Sequence, residues 1–159
     1  MRVGIGYDSH RFAPGRKLIL GGVQIPHSAG LAGHSDADAV AHALTDALLG
    51  AAGLGDIGRM FPDSDPTWKN ANSIDLLNKA FLKVVEAGFQ LVHADVTVIV
   101  EKPKLAPHLA AMEAKLAKAL LVERVSVKAK TNEGMGWIGQ GEGIAVFAVA
   151  TLSGGDRST

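Results

Sequence analysis

Three side chains that could bind one metal ion lie in the first third of the sequence. Asp8 and His10 are separated by one residue in an apolar, β-prone segment, and His42 follows in a segment with helical spacing. Side chains two residues apart point to the same side of an extended chain, so Asp8 and His10 can reach the same ion. One carboxylate and two imidazoles leave one position open on tetrahedral zinc, which suits catalysis. The pattern indicates a catalytic metal site, although such a scattered set more often consists of unrelated surface polar groups.

Two carboxylates flank His42 at helical spacing. Asp38 lies about one turn before it and Asp46 one turn after it. A carboxylate that accepts a hydrogen bond from the outer nitrogen of an imidazole holds a metal-binding histidine in one tautomer. We expect Asp46 to have this role. The alternative, a histidine on a solvated helical stripe, fits the local sequence equally well.

Two polar, glycine-containing segments could contact a substrate. Residues 56–65 contain three carboxylates, which suit hydroxyl groups or metal-bound ligands, although residues 63–66 fit an Asx turn better. Residues 128–133 end a predicted strand with Lys, Thr and Asn and lead into a glycine-rich turn, which can present amides and hydroxyls to phosphate. This second segment matches neither a P-loop nor a dinucleotide fingerprint, and a plain hairpin connection is the alternative.

The elements that must position these residues alternate between strands and helices. Apolar, β-prone patterns predict strands at 2–7, 18–25, 92–100, 125–131 and 143–152. The first helix is predicted to begin after Ser35 as N-cap and to end before Gly53. Further helices are predicted at 73–87 and 107–121, and residues 55–70 are predicted to form a long loop.

This order of elements predicts an α+β fold in a single domain, residues 1–152, followed by a flexible tail at 153–159. We expect a four-stranded mixed sheet with helices on one face, plus a small N-terminal β-hairpin. The last strand is apolar on both faces. Burial of its second face against another subunit is the simplest way to avoid an exposed apolar surface.

Composition excludes several classes of function. The 159 residues carry 16 basic and 16 acidic side chains, so no basic field attracts nucleic acid or an anionic membrane. The chain has no cysteine, which excludes disulfides and thiolate metal sites. There is no apolar N-terminal signal region and no apolar run of roughly 18 residues, which favours a cytoplasmic protein.

Several segments, in this order, resemble the 2-C-methyl-D-erythritol 2,4-cyclodiphosphate synthase family of the non-mevalonate isoprenoid pathway. The resemblance covers residues 1 to about 152, and the paired motifs HSDAD with a downstream His and FPDSD are specific when they occur together. The matching segments are GYDSH at 6–10, GGVQIP at 21–26, HSDAD at 34–38, HALTDALLG at 42–50, GDIG at 55–58, FPDSD at 61–65 and GEG at 141–143.

The resemblance implies an activity, two metal ions and an oligomer. The family converts 4-diphosphocytidyl-2-C-methyl-D-erythritol 2-phosphate to the cyclic diphosphate and releases CMP. By resemblance, Asp8, His10 and His42 hold zinc, and Glu133 holds a second divalent ion, Mg²⁺ or Mn²⁺. The family forms homotrimers with active sites between subunits, which would also cover the doubly apolar last strand.

The resemblance also implies which residues contact the substrate. His34 and Thr131 are expected to orient phosphate and stabilise the transition state. The expected contacts outside the cytidine pocket are Asp8, Ser9, His10, His34, Ser35, Asp56, Ile57, Gly58, Phe61, Pro62, Asp63, Ser64, Asp65, Trp137 and Gln140. The expected cytidine pocket consists of Val100, Glu101, Lys102, Pro103, Lys104, Leu105, Ala106, Lys130, Thr131, Asn132 and Glu133.

One position departs from the family pattern. Gln140 stands where members often carry an arginine associated with an isoprenoid diphosphate in the central cavity of the trimer. The departure leaves the catalytic interpretation intact and puts this second ligand in doubt. Two other functions are alternatives: a metal-dependent phosphohydrolase, and a non-catalytic trimer that binds metal or isoprenoid diphosphates.

Overall fold

A computed structural model describes residues 1–155 of the chain. It contains two short 3₁₀ helices, Pro66–Trp68 and Ala106–His108, in addition to the main elements. The strands are β1 Arg2–Pro14, β2 Leu18–Leu20, β3 Val23–Ile25, β4 Ala29–Leu31, β5 Phe89–Ile99, β6 Ser126–Lys130 and β7 Gly143–Gly154. The α-helices are α1 Ala39–Ala52, α2 Ile57–Met60, α3 Ser73–Glu86, α4 Leu109–Ala119 and α5 Gly136–Gly139.

The main sheet is mixed and has five strands in the order β4-β1-β7-β5-β6, so the prediction of four strands was wrong. The β5–β6 pair is parallel, and the other neighbours are antiparallel. β1 continues to Pro14, well beyond its predicted end, and its last residues pair with the unpredicted strand β4. The added strand exists because this extension of β1 runs past the end of its pairing with β7.

A small hairpin near the N-terminus forms a separate two-stranded sheet, β2–β3. Its residues were predicted to be one strand at 18–25, and that prediction was wrong. Gly21 and Gly22 have φ values of +57° and +73°, which L side chains rarely adopt, and they reverse the chain between the two short strands.

Helix α1 lies directly on β1 and thereby brings His42 to the strand. A Cβ atom added to Gly4 or Gly6 would lie 2.0 Å from the Ala47 oxygen or 1.7 Å from the Ala43 oxygen, respectively. Only glycine permits this approach between a helix and a strand backbone. Because side chains alternate along β1, Asp8 and His10 continue the helix-facing row that begins with these glycines.

The start of α1 differs from its prediction. Asp38, not Ser35, is the N-cap, and its side chain accepts a hydrogen bond from the Ala41 amide at 3.0 Å. The same carboxylate accepts bonds from the Gly21 and Gly22 amides, so it ties the hairpin to the helix. The helix ends as predicted, with Gly53 at φ +74°.

Two other segments are more regular than expected. The predicted loop at 55–70 contains α2 and the 3₁₀ helix Pro66–Trp68. Ser153 and Gly154 were assigned to the tail, but they pair with β5 as the end of β7. Residues 156–159 of the predicted tail lie outside the described residues. Within residues 1–155, no helix combines the length and the apolar character that crossing a membrane requires.

The sheet face opposite α1 is apolar and exposed. The sequence predicted this property for β7 alone, whereas the register extends it to β1, because Ile5 pairs with Val149 and Tyr7 with Phe147. The Tyr7 and Phe147 rings lie 5.0 Å apart. These four side chains and Val3 are 38–69% exposed. Such a contiguous apolar surface is typical of a site of association.

Candidate active site

Asp8, His10 and His42 converge on one point, as the sequence predicted. Asp8 Oδ2 lies 2.8 Å from His10 Nε2 and 3.2 Å from His42 Nδ1. One ligand atom from each residue lies within 4.8 Å of the others, and all three residues are partly buried. The donor set therefore fits a single divalent cation with one carboxylate oxygen and two imidazole nitrogens.

The outer nitrogen of His10 is fixed by the backbone. His10 Nδ1 lies 2.6 Å from the carbonyl oxygen of Ala32, to which it can only donate. In the neutral imidazole, Nε2 then carries the lone pair and faces Asp8. This bond selects the tautomer that binds a metal ion.

The outer nitrogen of His42 meets serine hydroxyls, not Asp46. His42 Nε2 lies 2.8 Å from Ser73 Oγ and 3.2 Å from Ser35 Oγ. The Ser73 hydroxyl donates to Asp36, which also accepts from the Ser73 amide at 3.0 Å. Asp46 instead accepts a bond from the Ile57 amide at 2.8 Å, at the start of α2. The expected role of Asp46 was therefore wrong, because its carboxylate supports a neighbouring helix.

Burial and electrostatic attraction shift the pKa values of Asp8 and His10 in opposite directions. Burial disfavours the charge on Asp8, but hydrogen bonds and attraction from His10 and His42 outweigh it and lower the Asp8 pKa. Burial likewise disfavours charge on His10, but its hydrogen bond to Asp8 and their Coulomb attraction raise the His10 pKa. In the metal-free protein, a proton on His10 therefore competes with a cation for this position.

A cavity of about 260 Å³ opens beside the three residues. It brings together predicted residues from three separate segments and two apolar side chains, Trp68 and Leu76, that the sequence analysis missed. Trp68 packs edge-on against Phe61, with ring centroids 4.9 Å apart. The lining consists of Asp8, His10, Gly33, His34, Ser35, His42, Ile57, Gly58, Phe61, Asp63, Trp68 and Leu76.

Within the segment 56–65, four of the predicted substrate contacts do not line this cavity: Asp56, Pro62, Ser64 and Asp65. Two of them cap short helices. Asp56 accepts a bond from the Arg59 amide at 2.8 Å, and Asp65 accepts one from the Thr67 amide at 2.9 Å. Of the three carboxylates in the segment, only Asp63 faces the cavity.

The two segments of the predicted cytidine pocket lie against each other at the far side of the sheet. The Val100 amide donates to the Lys130 carbonyl at 2.9 Å. The Glu101 carboxylate accepts bonds from the Asn132 and Gly134 amides at 2.6 and 3.4 Å. The structure thus joins residues 100–106 to residues 130–133. Glu133 follows with φ +52° and an exposed side chain.

These two regions are separate within one chain. In the sheet register, Ser9 pairs with Ala145, Ala145 with Ile99, and Ile99 with Lys130. Three strand spacings correspond to about 14 Å. Neither Thr131 nor Glu133 lines the cavity beside the metal-binding residues.

The three remaining predicted contacts, Ser9, Trp137 and Gln140, line other cavities. Trp137 faces a cavity of about 370 Å³ with Ser9, His10, Arg11 and Glu142. Gln140 faces another of about 410 Å³, together with Phe12, His27, Glu101, Lys102, Gly139 and Gly141.

Comparison with known proteins agrees with the resemblance seen in the sequence. The sequence pattern of the YgbB family matches residues 1–153. A 2-C-methyl-D-erythritol 2,4-cyclodiphosphate synthase from Symbiobacterium thermophilum is 55% identical over 97% of this chain and 99% of its own length. The synthase from Syntrophus aciditrophicus is 58% identical over 96% of this chain and 97% of its own length.

A solved structure agrees as well. The CDP-bound form of a 2C-methyl-D-erythritol-2,4-cyclodiphosphate synthase is 41% identical and superimposes with a TM-score of 0.88, covering 96% of this chain and 100% of that one. The relatives carry the name of an enzyme, and the match extends over nearly all of both chains. The chain belongs to the YgbB family, the family of the 2-C-methyl-D-erythritol 2,4-cyclodiphosphate synthases.

Proposed function

We infer that this chain converts 4-diphosphocytidyl-2-C-methyl-D-erythritol 2-phosphate to 2-C-methyl-D-erythritol 2,4-cyclodiphosphate and CMP. An oxygen of the 2-phosphate attacks the β-phosphorus, and the bond from that phosphorus to the oxygen of CMP breaks. The attacking 2-phosphate and the leaving CMP both belong to the substrate, so no protein nucleophile is needed. The observation that carries this function is the triad of Asp8, His10 and His42 beside a cavity, in a chain of this family.

We propose that the triad binds zinc and that Glu133 binds a second divalent cation, Mg²⁺ or Mn²⁺. Two nitrogen donors and one carboxylate oxygen suit zinc, and the exposed carboxylate of Glu133 suits a hard cation. When bound, the two ions would neutralise phosphate charge and hold the reacting groups in place. Ala32 and Ser73 support this assignment because they fix the outer nitrogens of both histidines.

The residues around the cavity have distinct roles in the proposal. His34 and Thr131 donate hydrogen bonds to phosphate oxygens, whose charge is redistributed as the bond to CMP breaks. Asp63 accepts bonds from erythritol hydroxyls. Phe61 and Trp68 form an apolar wall that excludes water. Exclusion of water favours attack by the tethered 2-phosphate over hydrolysis, which distinguishes a cyclase from the phosphohydrolase alternative.

We propose that the working enzyme is a homotrimer with active sites between subunits. Two-metal sites typically hold their ions roughly 3.5–4 Å apart, whereas Ser9 and Lys130 of one chain are separated by three strand spacings, about 14 Å. A neighbouring copy can supply residues 100–106 and 130–133 to the cavity of the first. The exposed apolar face formed by β1 and β7 would then be buried around the trimer axis.

Phosphorus NMR of the purified protein with the cytidine substrate and Mg²⁺ tests the function. We expect the signals of the substrate to be replaced by those of CMP and a cyclic diphosphate. A linear product would favour the phosphohydrolase. Metal binding without turnover would favour the non-catalytic trimer. The His42→Ala variant is the control, since it removes a proposed zinc ligand.

A further inference from the structure

Arg16 bridges two carbonyl groups on either side of His34. Its Nη1 atom donates to the Gly33 oxygen at 2.8 Å, and its Nη2 atom donates to the Ser35 oxygen at 2.9 Å. Arg16 follows Pro14 and Gly15 in the turn between β1 and β2. It is not one of the three candidate metal ligands and does not line the cavity, although its positive charge opposes the rise of the His10 pKa. One guanidinium group thus fixes the peptide plane that precedes His34 and the plane that follows Ser35.

The segment 33–35 depends on this contact because its backbone has little other support. The neighbouring Ala32 is bonded at both ends, through its amide to Arg11 and through its carbonyl to His10. On the other side, Asp36 is held by Ser73. Among the described residues, 33–36 take part in no backbone-to-backbone hydrogen bond. The two bonds from Arg16 are therefore the hydrogen bonds that hold the Gly33 and Ser35 carbonyl groups.

The position of the segment also matters for the metal centre. A Cβ atom added to Gly33 would lie 3.2 Å from His10 Cε1, so the backbone rests closely against the ring. The Ser35 hydroxyl lies 3.2 Å from His42 Nε2. A shift of this segment would therefore move the imidazole of His34 and disturb the surroundings of both histidine ligands.

We propose that Arg16 is a positioning residue that holds the segment 33–35 so that His34 faces the reacting phosphate. Arg16 acts through the backbone of this segment and touches neither substrate nor metal. The planar fork of the guanidinium fixes both carbonyl groups at once, whereas the ammonium group of lysine is a point charge without a fixed fork. The inference rests on the proposed role of His34 in the cyclase reaction.

The test compares Arg16→Ala, Arg16→Lys and a matched control, Lys17→Ala. Lys17 is the next residue in the same turn, is exposed, and makes no side-chain hydrogen bond within residues 1–155. In Arg16→Ala we expect kcat to fall about 10- to 100-fold, since small misplacement of a catalytic group has effects of this size. KM should change far less. Arg16→Lys should remain clearly below the wild type, and Lys17→Ala should match it.

A second measurement does not depend on catalysis. Amide NMR relaxation of the zinc-loaded, substrate-free protein should give order parameters near 0.85 at residues 33–35 in the wild type and Lys17→Ala. In Arg16→Ala we expect values that fall to about 0.6 or below at these residues, with unchanged values in α1. Arg16→Lys should give intermediate values.

The outcomes separate this inference from the proposed function. If the wild type forms no cyclic product, the proposed function is wrong. Lower order parameters in Arg16→Ala would then still show that Arg16 holds the segment 33–35 in place. If the wild type is active, unchanged kcat and order in Arg16→Ala would overturn the inference. Full restoration by Arg16→Lys, or an equal loss in Lys17→Ala, would assign the effect to positive charge and would also overturn it.

Discussion

The proposed metal-binding region and the proposed cytidine-binding region differ in how completely one chain builds them. At the metal centre, β1 supplies Asp8 and His10, α1 supplies His42, and both outer imidazole nitrogens have hydrogen-bond partners. At the other region, Thr131 and Glu133 are exposed, and the contact between their side chains is long, at 3.4 Å. The proposed metal ligands are pre-organised, whereas the second region has exposed polar groups that could bind a substrate and a neighbouring subunit.

This difference has a physical basis. Metal ligands must be held in a fixed geometry before the ion arrives, because disorder among them reduces affinity directly. Residues that bind a flexible nucleotide can become ordered with it. We therefore expect mutations in the first region to weaken zinc binding as well as turnover, and mutations in the second region to reduce turnover while zinc binding stays unchanged.

The largest expected effect is at His42. We expect His42→Ala to lose cyclisation and to weaken zinc binding by more than the 10–100-fold that loss of an outer hydrogen-bond partner typically causes. The fold should be retained, because α1 is held by its apolar face. Zinc content and phosphorus NMR measure the two effects, and His93→Ala, which removes an exposed imidazole, is the control. Stoichiometric zinc with full activity in His42→Ala would disprove the assignment.

Glu133→Gln should separate the two regions. We expect this variant to keep its zinc and to lose activity at ordinary Mg²⁺ concentration, since a neutral amide is a poor ligand for a hard cation. The effect should exceed tenfold in turnover. Normal turnover, or parallel loss of zinc, would show that Glu133 does not have the role proposed for it.

Mixing the two inactive variants tests whether the regions belong to different subunits. If equal amounts of His42→Ala and Glu133→Gln are unfolded, combined and refolded into trimers, some interfaces will unite an intact metal centre with an intact Glu133. In a ring of heterologous interfaces, each site takes its metal centre from one subunit and its Glu133 from the next. Half of the subunits keep each residue, so with random assembly about one site in four has both. We therefore expect about a quarter of the wild-type activity. No recovery would indicate that each site lies within one chain, or that the chain is monomeric.

The sequence allowed the convergence of Asp8, His10 and His42 to be predicted, because part of it depends on local geometry. Asp8 and His10 share a face because they are alternate residues of a strand, and His42 was a third candidate from the sequence that the resemblance then joined to them. The helices at 73–87 and 107–121 are present with ends that shift by one or two residues. The partner of His42 could not be predicted this way, because Ser73 lies 31 residues away and no periodic pattern relates the two. β4 could not be predicted either, because a strand of three residues is too short to show an alternation of apolar and polar side chains.

Ser73 should affect metal binding and little else. Its hydroxyl fixes the outer nitrogen of His42, so we expect Ser73→Ala to weaken zinc binding about 10- to 100-fold. Thr45→Val is a matched control, because it removes a buried hydroxyl from α1 that bonds to the Ala41 carbonyl and does not contact the imidazole. Zinc affinity is measured by competition with a chelator. Equal losses in the two variants would mean that the effect is one of helix stability.

The smallest expected effect concerns pH. Asp8 raises the pKa of His10 above its usual value of 6.5 in the metal-free protein, despite burial. Zinc must displace this proton, so below the raised pKa the protonation of His10 alone should lower the apparent zinc affinity about tenfold per pH unit. The decline should therefore begin above pH 6.5. Titration of the His10 ring signals in the metal-free protein measures the pKa independently. If both the His10 titration and the fall in zinc affinity began at or below pH 6.5, the attraction between Asp8 and His10 would not outweigh the effect of burial. The interaction between these two side chains would then be weaker than their distance indicates.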